Sequence, residues 1–225
     1  MAKRKIKVTK EIILEAYMDY VLNHGKQPAS VYRFAKENSF DESKFYEFYG
    51  DFSAIEMNSF SQLFDATMKT IESSTGFKKL NAREKLLTFY YTFFENLTAN
   101  RSYIKFLLTK DNSPIKNLSV LKHFRLHFLQ FVGTLNIETM DMKSDTLHDA
   151  QQKTIQESAW VQFLLTLKFW VDDSSAGFEK TDIFIEKAVN TSFDLMDVKP
   201  IKSLVDFGKF VLQERTMFSS KMKRN

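Results

Sequence analysis

His123 and His127 stand four residues apart in LKHFRLHFL, a spacing that sets two imidazoles on one face of a helix. A metal site needs at least a third ligand from His, Cys or a carboxylate, and the sequence indicates none. Two exposed or hydrogen-bonded histidines are therefore expected, with no metal. The chain has no cysteine, which excludes a thiol nucleophile, a thiolate metal site and a disulfide framework. G-x-S-x-G, H-E-x-x-H and a phosphate-cradling glycine loop are absent from the sequence. Its carboxylates are scattered over polar helix faces, where a solvated surface is the default. The protein is expected not to be an enzyme and to carry no cofactor.

Binding chemistry is better represented. Residues 1–10 hold Lys3, Arg4, Lys5, Lys7 and Lys10 with no acid. Such an arm can enter a minor groove or track phosphates, and a disordered, solubilising tail accounts for it equally well. From residue 11 to 51 eight acids face four bases, an awkward footprint for a nucleic-acid binder despite the overall net charge of +4. Phenylalanine is abundant, at 23 residues. Phe89, Tyr90, Phe93 and Phe94 belong to one aromatic stretch, and Tyr103, Phe106, Phe124, Phe128 and Phe131 to two more. These residues either line a hydrophobic pocket or form plain core. Tyr90, Tyr91, Tyr103, His123, His127 and Gln130 are the polar handles such a pocket would have. Trp160, Phe163, Leu164, Leu167 and Trp170 make a broad stripe later in the chain. Too few elements follow to cover it, so a homodimer seam is favoured over intramolecular core, with Phe184 and Ala188 joining it.

The elements that must position these groups are helical almost throughout. Only 6 Gly and 3 Pro are present, too few to punctuate many strands and hairpins. Lys10 to His24 carries one apolar face and Gly25 stops it. Ser30 opens a short helix through Glu37, residues 38–40 turn the chain, and Asp41 is the expected N-cap of a helix from Glu42 to Tyr49. Ser53 and Glu56 have the spacing of a capping box for a long helix reaching about Ser74. Residues 73–76 form the likeliest seam in the chain. Helices are then expected over 81–100, 103–109, 114–135, 148–171, 179–196 and 201–218, with a polar loop at 136–147. The reading is all-α, about ten helices and no convincing strand. The apolar runs are too short to span a bilayer, and the N-terminus lacks the features of a secretory signal. A soluble cytoplasmic protein without membrane insertion is expected.

The stretches ILEAYMDYVLNHG, SVYRFAKE and SKFYEFYGDFSAI, with their spacing from Gly25 through Ala35 to Phe45 and Tyr46, resemble the TetR family of transcriptional regulators. The resemblance covers roughly the first fifty-five residues; beyond them only length and helix content agree. It implies an N-terminal arm and helix-turn-helix domain at 1–52, and a ligand-binding and dimerisation domain at 53–225 whose connecting helix is 53–74. It further implies a homodimer on double-stranded DNA and a hydrophobic small molecule between helices, with His127, Trp160 and Phe163 added to the pocket. Lys3, Arg4, Lys5, Lys7, Ser30, Arg33, Ser43, Lys44 and Tyr46 are the residues left to meet DNA. The departures matter too. Ser39 occupies the turn where the family usually has Gly, and Gly50-Asp51-Phe52 replaces a lysine-rich phosphate contact. Asp41, Glu42 and Glu47 burden the second helix of the motif. The alternative is a bundle of this fold that has lost its DNA contacts and carries or presents a lipid or isoprenoid.

Overall fold

The structure, a computed structural model, describes residues 8–137 and 145–197. It is all-helical, with no strand among the described residues. The chain forms two compact units: the first takes the residues up to Lys79 together with Thr88–Thr134, the second Leu80–Leu87 and the residues from Leu135 onward.

The first unit begins with α1 (Lys10–His24), α2 (Val31–Glu37) and α3 (Glu42–Tyr46). Most ends have a local cause, although Asp41, the expected N-cap of α3, makes no side-chain capping bond and α3 stops at Tyr46, short of the expected Tyr49. Thr9 accepts a bond from the Ile12 N–H at the start of α1, and Gly25 closes it at φ 64°, the left-handed conformation that glycine adopts without strain. Ser30 Oγ accepts from the Arg33 N–H at 3.2 Å and so opens α2. The turn into α3 places Ser39 at φ 59°, so the strain expected from a missing glycine is present. The three helices close around Phe34, which is fully buried. Five rings meet it edge-on at 5.6–6.3 Å: Tyr17, Tyr20, Phe40, Phe45 and Phe52. Edge-to-face pairs of this kind add about 0.5–1.5 kcal/mol each beyond burial.

Then come α4 (Phe52–Ser73), α5 (Ala82–Ala99), α6 (Arg101–Thr109), α7 (Pro114–Leu118) and α8 (Lys122–Thr134). The expected capping box at Ser53 and Glu56 does not form. Asp51 caps α4, accepting from the Ala54 N–H at 2.8 Å, and Glu56 turns inward to other partners. A reciprocal box does form one helix later, where Asn81 Oδ1 accepts from the Glu84 N–H and Glu84 Oε2 from the Asn81 N–H. The helix expected from Pro114 to Leu135 is two helices separated by a 3-10 turn at Ser119–Leu121. The Ser119 hydroxyl donates back to the Lys116 carbonyl at 2.6 Å, competing with the helical ladder there.

In the second unit α9 (Asp145–Asp172) and α10 (Glu179–Asp197) pack together. Asp173 organises their junction. It accepts from the Ser175 and Thr181 N–H groups and from both hydroxyls at 2.7–3.0 Å. Burial pushes its carboxyl up, but these hydrogen bonds prevail and hold it at about 2. Arg83, at the start of α5, pairs with Asp194 at 2.6 Å and lies over the Phe193 ring. The helix expected over 201–218 lies outside the described residues.

Candidate functional site

The residues expected to meet DNA fall into two groups. Lys3, Arg4, Lys5 and Lys7 lie outside the described residues. Ser30, Arg33, Ser43, Lys44 and Tyr46 all belong to the helix-turn-helix, and their side chains are exposed or nearly so. Tyr32 and Tyr46 are 59% and 53% exposed, an unusual display of aromatic surface on so small a motif. The N-terminus of α2 is capped by Ser30 at the surface.

The electrostatics of this motif are self-contained. Arg33 Nε reaches Glu37 at 2.9 Å, one turn along α2. Lys44 Nζ reaches Glu47 at 2.5 Å. The Tyr46 hydroxyl is 3.5 Å from Glu42, at the limit of a hydrogen bond. The two cations expected to face phosphate are thus each neutralised by an acid of their own segment. Exposed pairs contribute only about 0–1 kcal/mol to stability, so both can open when a stronger anion arrives. Glu37 holds the Arg33 guanidinium above its ordinary value, first through the hydrogen bond and then through its charge.

The expected pocket residues gather mostly in the first unit as a dense aromatic cluster. Phe89 and Phe131 centroids are 4.7 Å apart, Phe93 and Phe124 4.8 Å, and Phe124 and Phe128 5.8 Å. Phe60 and Phe64 of α4 join it against Phe124 and Phe89. Tyr90 stacks on Phe94 and is buried, which raises its phenol well above the ordinary value. Phe106 is half-buried, while His127 lies 5.5 Å from Phe64 with its Nδ1 buried and lacking a hydrogen-bond partner. His123 is exposed, and the described residues contain no group of side chains able to hold a metal. Trp160 and Phe163 belong to the second unit and stack on each other at 5.5 Å.

The expected dimer stripe divides. Leu167 and Trp170 are 3% and 0% exposed, so they belong to the core and offer no surface to a second subunit. Trp160, Leu164, Phe184 and Ala188 are half-buried. The apolar surface of α9 lies one position round the helix, at Val161 and Leu165, which are 55% and 57% exposed. Leu165 borders an open groove floored by Phe169 and Phe184, whose rings stack at 4.6 Å, and edged by Lys168 and Lys180.

What the sequence did not reveal is the buried acid Glu56, 3% exposed. It accepts from the Tyr17 hydroxyl at 2.7 Å, from Gln27 Nε2 at 2.8 Å and from Lys110 Nζ. Burial, then the charge and hydrogen bond of Glu56, raise the Tyr17 phenol far above its ordinary value. Its partners come from three distant segments, so no local pattern announces it.

No curated protein matches this chain. Among solved structures, the crystal structure of the TetR transcriptional regulator from Nitrosomonas europaea ATCC 19718 is similar. It aligns with a TM-score of 0.60 at 14% identity over 82% of this chain and 98% of that one. No helix among the described residues is long and apolar enough to cross a membrane. The model of the tetracyclin repressor-like C-terminal domain matches residues 85–211, which places the chain in the TetR family.

Proposed function

We propose that the protein is a transcriptional regulator that binds operator DNA as a homodimer and responds to a hydrophobic small molecule. The observation that carries the reading is the motif formed by α2 and α3. Its spacing is preserved around Phe34, and Ser30, Arg33, Ser43, Lys44 and Tyr46 are all at its surface. Hydroxyls, a capped helix N-terminus and cations released from weak pairs are ordinary phosphate partners. In this reading residues 1–52 are the DNA-binding part, and the arm at Lys3, Arg4, Lys5 and Lys7 adds the charge that the motif lacks. The exposed Val161 and Leu165, with Phe184 beside them, support a dimer built on α9 and α10. In this reading an apolar effector enters among the rings of α4, α5 and α8, beside His127 Nδ1, a buried polar atom without a hydrogen-bond partner that would anchor it. An effector acts only if it binds one arrangement of the dimer better than the other.

A second reading has its own observation. Arg33 and Lys44 are already paired with Glu37 and Glu47, as in a bundle that has left DNA and carries or presents a lipid or isoprenoid. Selection of genomic fragments by the full-length protein at low salt separates the two. The regulator reading expects one enriched, two-fold symmetric sequence. Recovery of no sequence, together with an apolar compound extracted from the purified protein, would favour the carrier.

A further inference from the structure

Glu56 sits in the second turn of α4, almost wholly out of water, and pairs there with Lys110. A carboxylate in that position is tolerated only when it is paired and its lone pairs are filled. Both oxygens are filled here, and by donors from different parts of the first unit. Tyr17 of α1 and Gln27 of the turn after it donate to Oε1, and Lys110 at the end of α6 donates to Oε2.

Two of these donors, Tyr17 and Lys110, are themselves held. The Tyr17 ring stacks on Phe52 at 5.3 Å and meets Phe34 and Tyr103 edge-on. Lys110 is the C-cap residue of α6, and the backbone that follows is clamped. The Asp111 N–H donates to Asn117 Oδ1 at 2.9 Å, and Asn117 Nδ2 donates to the Asp111 carbonyl at 2.8 Å. Two turns earlier on α6, the Tyr103 hydroxyl lies 3.0 Å from Ser59 of α4. Helix α6 is therefore fixed to α4 at two polar points, and one of them is shared with α1.

Beyond this network α1 meets α4 through Lys10 Nζ, which donates to Asn58 Oδ1 at 2.8 Å, while α2 and α3 meet it through rings, Phe34 and Phe45 against Phe52. Ring contacts permit small rotations, whereas charged hydrogen bonds demand a direction. Lys110 is committed to this carboxylate, with a side chain only 19% exposed, so it is not available to a phosphate. We infer that Lys110 is a positioning residue for DNA binding, acting through Glu56 to fix α1, and with it α2 and α3, on α4 and α6. Its consequence for DNA rests on the regulator reading above; its consequence for α1 does not.

The test uses the full-length protein with Lys110→Met, Lys110→Arg, Glu56→Gln and the pair Lys110→Met with Glu56→Gln. Amide hydrogen exchange should show residues 13–24 and 31–37 exchanging at least tenfold faster in Lys110→Met, with 124–134 unchanged. Lys110→Arg should restore protection, because a cation returns. The double variant should be better protected than Lys110→Met alone, because the stranded charge is gone. If Lys110→Met does not fold, the double variant against the native protein carries the comparison, and exchange in 13–24 that is equal in those two would overturn the inference. Unchanged exchange, or equal acceleration in 124–134, would overturn it as well. On duplex DNA, Lys110→Met should bind about tenfold more weakly with an unaltered salt slope. A slope shallower by about one counterion per subunit would instead make Lys110 a phosphate contact and defeat the inference. If the native protein binds no duplex, the regulator reading falls, and the exchange result still decides the role of Lys110.

Discussion

Replacing Glu47 with Gln should let Lys44 reach phosphate with no bared carboxylate beside it to take up a cation in exchange. The Lys44 ammonium sits 2.5 Å from the Glu47 carboxylate, and both side chains are about half exposed, at 45% and 50%. A pair in that setting contributes at most about 1 kcal/mol to stability, so the variant should fold normally. The effect should fall on DNA. A cation reaching a phosphate releases about 0.9 counterion, which at about 0.1 M salt is worth roughly eightfold in affinity. A homodimer makes the contact twice. The variant should therefore bind a non-specific duplex about 10- to 60-fold more tightly, with the log K against log salt line steeper by about 1.8. Fluorescence anisotropy with a labelled duplex over a salt series reads both quantities. An unchanged slope would refute the reasoning, since it would place Lys44 away from the phosphates. Loss of a specific site held by the native protein would show Glu47 accepting from a cytosine amino group instead.

Ser39 sits at φ 59°, so Ser39→Gly should relieve strain and raise stability by about 0.5–1 kcal/mol, seen as a small upward shift in thermal midpoint. A drop would mean that the side chain makes an interaction that offsets the backbone cost. Asp173 is held at about 2, below its ordinary 3.8, so its contribution is complete above about pH 4 and is lost as pH falls toward 2. Asp173→Ala should cost roughly 1–2 kcal/mol at neutral pH and flatten the pH dependence of stability in that acid window, as chemical denaturation at pH 7 and pH 3 would measure. Leu165→Arg places a charge in the exposed stripe of α9 and should leave a folded monomer at micromolar concentration by sedimentation. A variant still dimeric would move the interface elsewhere.

Local physics made much of this fold legible. Gly25, Ser30 and the apolar spacing around Phe34 act within a few residues of themselves, and the sequence places all of them. Ser53 and Glu56 mislead for the same reason. Their spacing is that of a capping box, yet the donors to Glu56 lie 39, 29 and 54 residues away. Asp51, two residues before Ser53, fits the N-cap equally well by type and takes that role. Leu167 and Trp170 show a second limit. Periodicity identifies an apolar face but not whether it is covered by the same chain or by another. Val161 and Leu165 do not stand out in the sequence, because α9 is apolar over so wide an arc that its pattern does not mark which edge is exposed. At the candidate site, residue types pointed to Arg33 and Lys44 but not to their states. That each is paired with Glu37 and Glu47 depends on rotamers that composition does not fix.

The measurement that tests the central claim most directly is footprinting of the full-length protein on the genomic duplex that it enriches at low salt. The account predicts two protected patches on one face of the duplex, related by two-fold symmetry and separated by about 34–36 Å or a multiple of it. Both patches should weaken together in Lys44→Ala and Tyr46→Ala. Protection of no sequence at any salt concentration, by a protein shown to be dimeric and folded, would contradict it and leave the fold to the carrier reading.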